Sequence, residues 1–61
     1  MAGIKEILMK RDGNSEAKAN ARIERAKAKF WKYLEKGDEE AAYYICQTEF
    51  GLEPDYNDEL Y

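Results

Sequence analysis

Ser15–Lys36, SEAKANARIERAKAKFWKYLEK, is the stretch that decides the fold. Its apolar residues fall at Ala19, Ile23, Ala26, Phe30 and Tyr33, with Leu34 beside Tyr33. Spacings that alternate between four and three residues draw one seam down an α-helix, close to a heptad rhythm. No proline or glycine interrupts the run, and its five alanines lower the helical cost. At 1.5 Å per residue such a helix is roughly 30 Å long. In a chain of 61 residues it is the spine on which everything else must dock.

Shorter segments flank it. Ile4, Ile7 and Leu8 lie one turn apart and predict a short helix over Met1–Lys10. Alone it is too short to persist in water, so it has to pack on the spine. Asp12-Gly13-Asn14-Ser15 is turn chemistry, with Ser15 or Asn14 capping the spine. Gly37 ends the spine and Asp38 starts a third helix, Asp38–Phe50, with Ala42, Ile45, Cys46 and Glu49 on one side. Phe50-Gly51-Leu52 reads as a glycine stop closed by two apolar residues that fold back on the core. Pro54 forbids continuation, and Asp55–Tyr61 forms a final helical turn with Tyr56 and Leu60 on one side. The expected architecture is a single all-α domain over residues 1–61: short helix, long amphipathic helix, third helix and C-terminal helical turn.

Composition bounds the stability and the chemistry. Below about 70–80 residues a single core rarely supplies more than 3–5 kcal/mol. Cys46 is the only cysteine and there is no histidine, so neither an internal disulfide nor a structural zinc site is available. Oligomerisation is the remaining staple. The expectation is a homodimer with its spines side by side and Ile23, Ala26 and Phe30 in the contact. No apolar run reaches the ~20 residues of a membrane span, and the first residues lack the apolar region of a signal peptide. The chain is read as cytoplasmic, with no membrane partner.

Charge is unevenly placed. The net value is only −3, yet residues 16–37 carry seven basic and three acidic groups, and residues 38–61 carry eight acidic and no basic ones. Opposite halves attract, within one chain or between two. Arg22, Arg25, Lys29, Lys32 and Lys36 follow one another at three or four residues, the footprint of phosphate contacts, so nucleic-acid binding is the second functional reading. A net negative charge opposes it. Catalysis is not expected: Cys46 has no histidine to act as its base, and it falls on the core side of its helix. Neither a metal nor another cofactor is expected, because Asp55, Asp58 and Glu59 lack the alternating ligands and central glycine of a calcium loop.

Eight aromatic residues are more than so small a core can bury. Aromatic residues and arginine dominate the hot spots of protein interfaces. Trp31, Tyr56 and Tyr61 are accordingly the expected partner contacts, with Asp55, Asp58 and Glu59 steering a basic surface toward them.

Two motifs add a resemblance. Ile4-Lys5-Glu6-Ile7-Leu8-Met9-Lys10-Arg11-Asp12-Gly13 with Ser15, and Phe50-Gly51-Leu52-Glu53-Pro54-Asp55-Tyr56, resemble a family of very small acidic proteins of bacteriophages, prophages and other mobile elements of Gram-positive bacteria. The likeness covers most of the chain. The basic residues Lys18, Arg22, Arg25 and Lys27 depart from the family's Glu-rich middle helix. The family has no established activity to carry over. What the resemblance implies is a setting in which short proteins bind and disable a host factor, as the anti-Hachiman and anti-CRISPR classes do. The expected function is therefore a phage-type inhibitor of a bacterial host defence protein. The alternative is a small dimeric DNA-binding regulator using the basic spine.

Overall fold

The computed structural model describes residues 3–61. Met1 and Ala2, where the first expected helix begins, lie outside the described residues. Four α-helices and a 3-10 helix follow in order: α1 (Ile4–Arg11), α2 (Glu16–Glu35), α3 (Glu39–Tyr43), α4 (Ile45–Phe50) and the 3-10 helix Pro54–Leu60. The described chain is all-helical, with no strand among these residues. α2 is the spine, and α1, α3, α4 and the 3-10 helix all pack against it.

Capping chemistry sets most of the boundaries. Ser15 Oγ accepts the Lys18 N–H at 3.2 Å and starts α2. Asp38 Oδ1 accepts the Ala41 N–H at the same distance and starts α3. Gly51 takes the left-handed conformation, φ 68°, at the end of α4. There the Leu52 N–H reaches back to the Cys46 carbonyl at 3.1 Å, closing the helix in the manner expected of Phe50-Gly51-Leu52. Phe50 is buried and Leu52 packs half-buried against the core.

The core is built from Ile4 and Leu8 of α1, Ala19, Ala26 and Phe30 of α2, Ala42 of α3, Ile45, Cys46 and Phe50 of α4, and Leu60. Ile23, Tyr33, Leu34, Leu52 and Tyr56 close its edges. Every seam position named for the spine is in one of these two groups.

Two elements differ from expectation. The helix expected over Asp38–Phe50 is broken at Tyr44, whose φ and ψ of −93° and 11° leave the helical region. At this break Asn57 Nδ2 donates to the Tyr43 carbonyl at 2.6 Å. A side chain from the 3-10 helix thus fills the place of a ladder bond. The last segment is also longer and tighter than one turn. Its three-residue repeat eclipses Asn57 and Leu60, and both are buried there.

The seam expected to join two chains is filled from within one. Ala26 and Phe30 are only 1% and 2% exposed, covered by the chain's own elements, and Ile23 is half-buried against the same core. A dimer contact through Ala26 and Phe30 would require that core to open.

Candidate functional site

The expected partner residues separate into two groups once the C-terminal segment is in place. Leu60 is fully buried and anchors the end of the 3-10 helix on the spine. That anchor brings the neighbouring Tyr61 ring over Phe30, with centroids 5.0 Å apart and planes at 84°. Trp31 follows Phe30 by one residue, a 100° step that carries it from the core to the rim. Its ring lies 5.8 Å from Phe30 and 5.9 Å from Tyr61, edge-to-face in both cases. The three rings form a closed triad. Phe30 is its buried member, while Trp31 is 44% and Tyr61 67% exposed. Edge-to-face pairs at these distances contribute about 0.5–1.5 kcal/mol beyond area burial. The triad sets two exposed rings against a buried one and forms an aromatic ledge at the rim of the core.

Tyr56 packs half-buried against the edge of the core. Asp55 and Asp58 are exposed on the outer side of this segment. Glu59 does something the sequence did not indicate: its Oε1 accepts the Ile4 N–H at 2.9 Å, at the start of α1. A carboxylate there meets an unsatisfied donor and the positive end of the helix dipole. Its role is to tie the two ends of the described chain together.

The basic stripe also divides. Arg22 Nη1 donates to Asp12 Oδ2 at 2.8 Å and to Asn14 Oδ1 at 2.7 Å, while Nη2 points at the Glu49 carbonyl, 3.5 Å away. Its guanidinium sits 5.6 Å from the centroid of the Phe50 ring. Arg11 Nη2 donates to the Phe50 carbonyl at 2.6 Å. Two guanidiniums thus close the C-terminal end of α4, and Asp12 lies between them. Hydrogen bonds from Arg11 first and Arg22 second hold the Asp12 carboxyl well below the usual carboxylate range. Lys29 is paired with Glu49. Arg22 and Lys29 are therefore engaged within the chain, contrary to the phosphate-contact expectation for them. Arg25, Lys32 and Lys36 are exposed, and no ion pair involves them among the described residues.

Cys46 is fully buried. Burial, with a smaller contribution from the negative Glu59, pushes its thiol up to about 11, so the sulfur is neutral and out of solvent at ordinary pH.

A second aromatic group was not anticipated. The Tyr43 and Tyr44 rings meet edge-to-face at 4.9 Å beside the helix break, and they are 55% and 44% exposed. Two adjacent tyrosines in a regular helix diverge by 100°. Sequence periodicity held no signal for their pairing, which lies at the break between α3 and α4.

Among the described residues no helix is long and apolar enough to cross a membrane. No family model matches the chain, and neither a curated protein nor a solved structure is similar enough to match it. No role therefore comes to these residues from a relative, and their chemistry has to be argued from their own geometry.

Proposed function

We propose that the chain is a protein-binding module, and that its work is that of a phage-type inhibitor which occupies a bacterial host defence protein. The observation that carries the binding reading is the ledge of Trp31 and Tyr61 over buried Phe30. Rigid aromatic rings offer large contact area at little entropic cost on association, which is why they anchor protein interfaces. The resemblance of the two end motifs to small mobile-element proteins supports the choice of a host defence protein as target. Asp55 and Asp58 add negative charge on the same C-terminal segment, suited to steering a basic partner surface toward the ledge.

The nucleic-acid reading is weaker on the same geometry. Two of its five residues are engaged inside the chain, and only Arg25, Lys32 and Lys36 stay free for phosphate. Tagged protein exposed to a bacterial lysate with and without nuclease distinguishes the two readings. A stoichiometric protein retained after nuclease treatment is the expected result; nuclease-sensitive nucleic acid as the retained material would favour the regulator.

A further inference from the structure

A groove of about 410 Å³ runs between α2 and the α3–α4 break. That is at the small end of the roughly 300–1,000 Å³ typical of ligand-sized clefts. It lies away from the ledge, because Tyr33 and Trp31 leave α2 two residues, about 200°, apart. Tyr33 and Tyr44 line it, Ala41 and Ile45 supply apolar surface, and Asp38 and Glu40 add carboxylates. The one basic group lining it, Lys29, is already paired with Glu49. Asp38 spends one oxygen on capping Ala41, and Glu40 has no ion-pair partner among the described residues. Tyr43 packs against the Tyr44 ring and fixes its orientation.

We infer that this groove is a binding site for an arginine side chain of a basic segment on the protein partner. Charge complementarity carries the assignment: a concave surface with two aromatic rings has a carboxylate excess and its only cation neutralised. An arginine satisfies all of its parts at once. The aliphatic stem lies on Ala41, the planar guanidinium stacks on tyrosine, and its fork of donors meets Asp38 and Glu40. Lysine has the charge but neither the plane nor the fork, so it binds less well. The inference deepens the protein-binding reading by stating the chemistry of the partner, and it does not depend on Trp31.

The test is a titration of the isotopically labelled full chain, followed by amide NMR, with an acetylated, amidated Gly-Arg-Gly-Arg-Gly peptide and its lysine counterpart. Saturable shifts centred on Tyr33, Ala41, Tyr44, Ile45 and Thr48 are expected, with the arginine peptide binding more tightly. Glu40→Gln and Tyr44→Leu, both at exposed positions, are each expected to weaken binding on the order of two- to fivefold, the range of exposed ion pairs and cation–π contacts. Glu24→Gln, at an exposed position of α2 outside the groove, should leave it unchanged. Circular dichroism of each variant confirms that the helices persist. Shifts centred on Glu53, Asp55 and Asp58, equal affinity for the two peptides, or full affinity in Tyr44→Leu would overturn the inference. A partner lost by Trp31→Ala while the arginine peptide fails to bind would remove the groove and leave the ledge standing.

Discussion

Gly3 lies against the carboxylate that meets the start of α1. Its φ and ψ, −82° and 174°, suit any residue, but a Cβ there would stand 2.9 Å from Glu59 Oε1. That oxygen is the one that accepts the Ile4 N–H. It is also the far end of a flexible side chain, so Gly3→Ala displaces it at little cost, whereas Glu59→Ala deletes the bond. Glu59→Ala is expected to cost about 1 kcal/mol, the usual value of a helix cap, and Gly3→Ala less. Urea unfolding of the two variants measures this; a loss in Gly3→Ala as large as that in Glu59→Ala would refute this reading. Asp12 gives a prediction in pH. Its carboxyl is held below its ordinary value by Arg11 and Arg22, so the folded state favours the ionised form. The stabilisation is fully present above the ordinary carboxylate pKa and is lost as pH falls toward the lowered folded value. Asp12→Asn should therefore be less stable than the parent at neutral pH, with the gap narrowing as acid is added. A gap that is constant over the acid range would count against the network.

At the scale of elements, legibility followed the range of the interaction responsible. The spine could be read because its seam repeats with the helical period, and Ser15, Asp38 and Gly51 acted within five residues of themselves. The break between α3 and α4 could not be read. Its partner, Asn57, comes from 14 residues downstream, and Ala41–Ile45 contains no proline or glycine to signal it. Asn57 also leaves its Oδ1 buried without a hydrogen-bond partner. Asn57→Ala deletes the bond to the Tyr43 carbonyl and should cost about 1–3 kcal/mol. Asn57→Asp should cost more, since it removes the donor and sets a carboxylate against a carbonyl with no donor nearby. Denaturant unfolding of the two variants gives their order, and an Asp variant as stable as the Ala variant would contradict this reading of the break.

Over the whole molecule the same contrast decides the site. Trp31 and Tyr61 were recognisable as aromatics in excess of the core, but their closure over Phe30 joins residues 30 apart. Arg22 and Lys29 had the spacing of a phosphate-binding stripe, yet Asp12, Asn14 and Glu49 occupy them. Glu59 sat in an acidic run and turned out to join residues 55 apart. The spine's seam is covered for a related reason: helices too short to stand alone bury it within one chain when four of them dock together. Light scattering at micromolar concentration should consequently return the mass of one chain. A stable dimer mass that Phe30→Ala abolished without loss of helicity would restore the intermolecular seam.

The measurement that tests the ledge most directly is binding of Trp31→Ala to the protein retained from a nuclease-treated lysate. Trp31 is exposed, so its truncation should leave the helical circular dichroism spectrum in place. Hot-spot aromatic residues cost about 2 kcal/mol or more on truncation, close to thirtyfold in affinity. The prediction is a folded variant that has lost at least that much affinity. A folded Trp31→Ala that holds the partner as tightly as the parent would contradict the account.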